Sequence, residues 1–237
     1  MMDKLTPEER KECCFVWHSA PRDDNGTDLI AVKNALCPDY KVYIHDQNIE
    51  PKLMNFFYNL ADVTVNIASN EGFGISWCES LHTATPIINN VTGGLQDGCR
   101  FEDDNGDWIE FSTEFPTNHN GTFKKHAIWA KPVFPSNRSV QGSPMTPYIF
   151  DDRVDFNDVA DAMQYWYEMP SEQRQEAGQS GYEWVIGNES NMSARRMGER
   201  FIECIEGCFE NWKPRKRFTL FNTNEIDMNI NNSGVIV

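Results

Sequence analysis

Basic residues are scarce in this sequence: 21 lysines and arginines stand against 36 aspartates and glutamates, a formal net charge of −15 and an isoelectric point near 4.7. A surface for nucleic acid or for an anionic membrane needs clustered Lys and Arg, so the charge balance speaks against both partners. Long apolar runs are missing too. None approaches the ~20 residues of a membrane span, and the first residues, Met1 to Lys11, are charged rather than signal-like; no membrane span and a cytoplasmic location are the expectations. The seven cysteines are odd in number and include no Cys-x-x-Cys pair, which argues against a disulfide framework or a structural zinc and for a reducing compartment. Cys204 and Cys208 stand four apart on a helical stretch, a spacing that suits half a metal site but is read more simply as core packing.

What is present is enough for a real core. A chain of 237 residues, 40% of them hydrophobic, can bury roughly 70–75% of its unfolded surface. Short apolar runs alternate with amphipathic stretches in the first two-fifths, the pattern of βαβ units around a parallel sheet. Strands are expected at Cys14 to Trp17, Lys41 to His45, Val63 to Ala68 and Pro86 to Asn89, with helices at Asp28 to Leu36, Pro51 to Leu60 and Ile75 to His82. From Gln96 to Asp152 the periodicity fails, and isolated aromatics (Trp108, Phe111, Trp129, Phe134) sit among Gly, Pro, Asn and Asp. That span reads as an insertion holding short strands or folding over a site, its aromatics stacking on a sugar or, more simply, filling a small satellite core. Helical period returns at Phe156 to Glu168, Ser171 to Ile186 and Asn191 to Trp212, with Asn157 or a neighbour and Ser171 as caps. The expected organisation is an extension over 1–13, one domain over 14–212 with its insertion at 96–152, and a polar tail over 213–237 that is basic through Arg217.

One segment carries chemistry. A strand ending at Ala68 runs through Ser69-Asn-Glu71 into a glycine-bracketed turn, Gly72-Phe73-Gly74, and then into a helix that bears Glu79. Ligands of open α/β sheets bind at this carboxyl edge of the strands. Glycines let a ligand approach the main chain, and the free amides opening the helix can meet a phosphate or a sugar oxygen. Glu71 and Glu79 can both face a ligand above the strand ends, where carboxylates accept hydrogen bonds from vicinal hydroxyls; the plainer alternative is two surface carboxylates beside an ordinary turn. His18, after the first strand, either reaches the cleft or is a satisfied, partly exposed histidine. His45 and His82 read as structural. The acidic dyads Asp23-Asp24, Asp103-Asp104 and Asp151-Asp152 read as solvated loop charges, and no metal site is expected.

The Glu-x7-Glu pair holding Gly-Phe-Gly resembles the donor-site signature of the group-1, glycogen-synthase-like retaining glycosyltransferases of the GT-B fold. Tyr58 to Ser69 is similar to that family's Tyr-x-x-Ala-Asp strand ending in Ser. Thr85-Pro86-Ile-Ile and Gly93-Gly94-Leu95 are similar to its next strand and glycine turn, and the three C-terminal helical blocks to the end of its donor domain. The resemblance covers Cys14 to Leu95 and Phe156 to Trp212. It implies a Rossmann-like, doubly wound parallel α/β sheet, and the transfer of a hexose from a nucleotide-diphosphate sugar, such as a UDP or GDP sugar, to an unknown acceptor with retained configuration. It also implies that Glu71 contacts the donor sugar's hydroxyls near the reacting carbon as the catalytic residue, and that Glu79 holds the ribose. The amides of Gly72, Phe73 and Gly74, with the Gly93-Gly94-Leu95 turn, would line the sugar and diphosphate; no cofactor or metal is implied beyond the donor substrate.

The chain departs from the family pattern in three places. Arg22 fits the cation expected after the first strand, but Asn25-Gly26 stands where Lys-Gly is usual; Arg100, Lys124 or Lys125 could supply the missing charge. Ala84 replaces the glycine usual before the Thr-Pro strand, a change expected to affect packing only. The third departure is that only about a dozen residues precede the first strand, so an acceptor-binding domain is expected on another chain, outside this sequence, or replaced by the insertion and tail. Two other readings stay open: a non-catalytic nucleotide-, sugar- or partner-binding module on the same scaffold, and another enzyme such as a nucleotide-sugar epimerase, for which no specific motif is present.

Overall fold

The computed structural model describes residues 1–22, 27–109, 112, 115–142 and 148–215, in two units, 1–193 and 194–237. Asp23, Asp24, Asn25, Gly26, Phe111 and the tail from 216 on, Arg217 included, lie outside the described residues.

Local chemistry sets the element ends. In the first unit, α1 (Pro7–Glu12) starts in a capping box: Thr6 Oγ1 accepts the Glu9 amide while the Glu9 carboxylate accepts the Thr6 amide, with Pro7 at the first helical position. The span read as an extension therefore holds a capped helix. After β1 (Phe15–His18), α2 (Leu29–Leu36) is capped by Asp28, whose carboxylate accepts the Ala31 amide. Then come β2 (Val42–His45), α3 (Pro51–Leu60), β3 (Thr64–Asn66), α4 (Ile75–His82) and β4 (Ile87–Asn90). Past the middle lie β5 (Ala130–Val133), β6 (Pro135–Gln141), β7 (Ile149–Val154), α5 (Phe156–Glu168) and α6 (Ser171–Ile186). Asp155 caps α5 by accepting the Asn157 amide. Ser171 opens α6 as its first helical residue and makes no side-chain cap, since Pro170 holds the cap position.

The protein is mixed α/β with parallel strands joined by helical crossovers. Among the described residues the five parallel strands fall into a pair, β1 and β2, and a triplet in the order β3-β4-β5; β6 and β7 form an antiparallel hairpin. Strand β4 is central in the triplet and buried along its whole length. Its side chains alternate between two cores, as strand geometry requires. Ile87 enters a cluster with Trp77 and Leu81 of α4 and Trp184 and Val185 of α6; Ile88 enters one with Val133 of β5 and Val159, Ala162 and Trp166 of α5. A sheet covered on both faces buries its strands twice over, so they read as apolar runs.

Two expectations about the span 96–152 change here. Part of it, β5, is the third strand of the β3-β4-β5 sheet, with Pro132 tolerated because β5 lies at the edge. Its aromatics Trp108, Trp129 and Phe134 join the main core around Trp77 and Trp184 instead of a satellite.

The second unit contains α7 (Ala194–Asn211), all of whose apolar side chains from Met197 to Phe209 are exposed. Cys204 and Cys208 are exposed there as well, which corrects the core-packing expectation; a helix carrying its apolar residues on one face offers them no core of its own. All seven cysteines are free thiols, and no described helix is long and apolar enough to cross a membrane.

Candidate functional site

The chemistry-bearing segment folds as strand, turn and helix. Asn66 ends β3 with its side chain split between two tasks: its amide nitrogen donates to Ser76 Oγ on the first turn of α4, at 2.8 Å, and its oxygen accepts the Ala68 amide. Deeper in α4, Ser80 Oγ, which reaches Thr64 Oγ1 on β3, also donates to the Thr85 carbonyl. Trp77 is fully buried, its indole N–H donating to the Phe73 carbonyl at 2.7 Å, its ring against Phe73 and against the Gly98 backbone. The helix is thus fixed over the strand, with its N-terminus at the carboxyl edge of β3 and β4.

The two glycine turns meet there. Gly74 caps α4 in the left-handed conformation at φ 78°, which a side chain rarely adopts. Gly94 N–H is shared between the carbonyls of Glu71 and Gly72, at 3.3 and 3.1 Å. The approach leaves no room for a side chain: a Cβ at Gly94 would stand 2.6 Å from Phe73 Cα and 2.7 Å from its oxygen, and closer still to Gly72 O. Leu95 is buried beneath Gly74 and contributes its side chain to the core. Seven of the residues singled out by sequence, Glu71 to Gly74 and Gly93 to Leu95, therefore form one contiguous backbone platform. Gly72 is its open corner, exposed and with nothing within 4 Å of where a Cβ would stand.

The amides of this platform are unequally available. Gly72 N–H donates to Glu71 Oε1 at 3.1 Å, Gly93 N–H to the Thr117 carbonyl at 2.8 Å, and Leu95 N–H to the Thr92 carbonyl. Among the described residues the amides of Phe73 and Gly74, heading α4, have no acceptor within the chain. Glu79 lies farther along α4 and accepts the Tyr58 hydroxyl at 2.9 Å; burial and this carboxylate push the Tyr58 phenol well above its ordinary value.

The remaining expected residues stand elsewhere in the contact pattern. Arg22 is exposed and ion-paired with Asp28 at 2.8 Å. Of its possible substitutes, Arg100 is held by Glu102 and Glu189 and Lys125 donates to the Asp104 carbonyl. His18 meets His45 Nδ1 to Nδ1 at 2.9 Å across the paired ends of β1 and β2, and both rings pack on Phe57. His82 is tied to the Cys78 carbonyl of its own helix.

The sequence reading missed three things. The first is Asp152, read as a solvated loop charge but only 2% exposed. It takes the Thr92 hydroxyl at 2.9 Å and the Asn118 amide at 3.0 Å, its carbonyl accepts Asn90 Nδ2, its own amide donates to Ser69 O, and Arg138 lies 3.6 Å away. Its neighbour Asp151 is paired with Arg153. A buried carboxylate persists only when so satisfied. The second is the segment Pro116 to Asn118, which closes over the glycine turn through Gly93, Gln96 and Asp152. The third is Asp97, just past that turn, whose carboxyl is pushed up to about 6 by burial. Two buried acceptors nearby, Asn90 Oδ1 and Gln96 Oε1, have no donor among the described residues, so a water or a ligand hydroxyl could serve them. Among the described residues no group of three or more His, Cys, Asp or Glu is placed to hold a metal ion.

Compared with known proteins, the chain matches no family model and no curated protein sequence.

Proposed function

We propose that the platform is the donor-binding site of a retaining, nucleotide-sugar-dependent glycosyltransferase, and that the parallel α/β unit is a Rossmann-like donor domain of the GT-B type. The observation that carries the reading is the backbone docking of the Gly93-Gly94 turn onto Glu71-Gly72-Phe73-Gly74 at the head of α4. Two sequence motifs that resemble one family's donor signature converge at a helix N-terminus, where amides and the helix dipole favour an anion. In this reading the Phe73 and Gly74 amides receive diphosphate oxygens, stabilising the charge that builds as the nucleoside diphosphate departs. Glu71 holds a hydroxyl of the donor sugar above the open corner at Gly72, and Glu79, oriented by Tyr58, holds the ribose. The acceptor is bound by a separate domain or chain.

A second reading, a nucleotide- or sugar-binding module without transfer activity, is favoured by the cations: Arg22 and Arg100 are both engaged by carboxylates and so are less available to a diphosphate. Calorimetric titration with UDP, GDP and their sugar conjugates, repeated on Glu79→Ala, tests the shared site. Saturable binding weakened by about 1–3 kcal/mol in the variant supports it, and no binding by the folded chain to any of them sinks both readings. Slow hydrolysis of the bound conjugate then separates the transferase from the binding module.

A further inference from the structure

The apolar face of α7 has a definite shape. At about 100° per residue, Met197, Phe201, Cys204, Ile205, Cys208 and Phe209 fall on one side, and the charged residues fall on the other and along its edges. These large side chains are open to solvent: Met197 is 69%, Phe201 68% and Phe209 79% exposed. A contiguous patch of this kind on a helix marks an interaction surface.

The charges say what covers it. Arg195, Arg196 and Arg200 lie with a single acid, Glu199, in the N-terminal half, and Glu203, Glu206 and Glu210 with no base in the C-terminal half; the first turn has no acid and the last turn no base. This is the reverse of what the helix's own dipole favours. The pairs Arg195–Glu199 and Arg196–Glu199 also run with the base first, the weaker orientation on an isolated helix. Exposed pairs of this sort contribute little. An antiparallel partner of the same sequence reverses the arrangement: the basic half of each helix faces the acidic half of the other, and Arg195 and Glu206 lie on the same flank of the apolar face. A parallel partner would set like against like.

We infer that α7 is a homodimerisation helix that pairs antiparallel with α7 of a second copy of this chain. Two such faces would bury on the order of 1,200 Å² in all, the lower end of the range for specific interfaces, enough for a specific dimer in equilibrium with monomer.

Sedimentation equilibrium of the full chain tests this, with two charge-reversed variants: Arg195→Glu with Arg200→Glu, which turns the basic half of the helix net acidic, and Glu206→Arg with Glu210→Arg, which turns the acidic half net basic. The wild-type chain is expected to dimerise, each variant alone to dissociate at least tenfold more readily, and a mixture of the two to regain the wild-type affinity as a heterodimer, which also shows that both variants fold. A monomeric wild type at 100 µM or so overturns the proposal and gives the face to another protein or to the chain's own first unit. A dimer indifferent to both reversals overturns it equally, because the contact then lies elsewhere.

Discussion

Replacing Gly94 by alanine is the most direct probe of the platform, and Gly72 is its internal control. Both glycines have ordinary backbone angles, so alanine is conformationally acceptable at each and should by itself add about 0.4–1 kcal/mol by restricting the unfolded chain. The surroundings differ. At 94 the new methyl meets main-chain atoms of Gly72 and Phe73 that cannot rotate away, so the two turns must separate. That costs about 1–3 kcal/mol in forced packing and about 1 kcal/mol for the Gly94 amide shared by the Glu71 and Gly72 carbonyls. The net expectation is a loss of about 2–3 kcal/mol, or roughly 5–10 °C in Tm for a unit of this size. At 72 the methyl projects into open space, and stability should hold or rise slightly, yet nucleotide-sugar binding should fall, because that space is where the donor is placed. Thermal and urea denaturation of both variants, with the same titrations as above, give the answer. A Gly94→Ala protein as stable as wild type would refute the docking geometry, and a Gly72→Ala protein that binds undiminished would remove the ligand from this corner.

Ala84 sits at φ 55°, a left-handed angle that costs a non-glycine residue about 1–2 kcal/mol; after the unfolded-state penalty of a new glycine, Ala84→Gly should stabilise by about 0.5–1 kcal/mol in urea melts, and a destabilised variant would contradict the assignment of strain. Asp97 has its carboxyl raised by burial from 3.8 to about 6, so the folded state holds a proton that the unfolded state has lost between those values, and this residue's contribution to stability falls as pH rises through that window. Asp97→Asn should therefore gain about 1–2 kcal/mol over wild type on going from pH 4 to pH 7, allowing for partial exposure, and a pH-independent difference would show the carboxyl to be solvated.

The parts of the fold that were legible in the sequence are those written in local patterns. The helices at 51–60, 75–82, 156–168 and 171–186 follow apolar periodicity with Pro or small polar residues at their starts. The strands before Glu71 and after Thr85 are marked by short apolar stretches, Val63 and Val65 at the one and Ile87 and Ile88 in the other, and β4 packs on both of its faces. Strand β5 was illegible: Ala130-Lys-Pro-Val has neither alternation nor a continuous apolar run, and only its pairing with β4 makes it a strand. The change at Ala84 was read as a matter of packing, whereas the residue holds a left-handed angle with Gly178 pressed against its carbonyl. The burial of Asp152 could not be read either, because Thr92 and Asn118, which make it tolerable, lie 60 and 34 residues away. The contact between His18 and His45 depends on the register of β1 on β2, which no single strand specifies. Near the candidate site, then, sequence supplied the turn that bears the chemistry but none of the groups that close over it.

The bond from Gly72 N–H to the carboxylate of Glu71 has a consequence for the proposed site. It places an internal anion on an amide of the turn where a diphosphate or sugar oxygen is proposed to bind. If that amide serves the donor, Glu71 must release it, and the freed carboxylate then becomes available to a sugar hydroxyl. A nucleoside diphosphate without sugar gains only the first half of the exchange and also meets a negative charge at close range. Glu71→Gln weakens the internal acceptor and removes that charge, so it should bind the bare diphosphate about three- to tenfold more tightly, the difference between a charged and a neutral hydrogen bond. The sugar conjugate loses its charged acceptor in the same variant and should bind more weakly, so the preference for conjugate over diphosphate should fall or invert. Titration of both ligands decides it: equal losses for the two would mean that Glu71 only shapes the turn, and the catalytic role proposed for it would have to be abandoned.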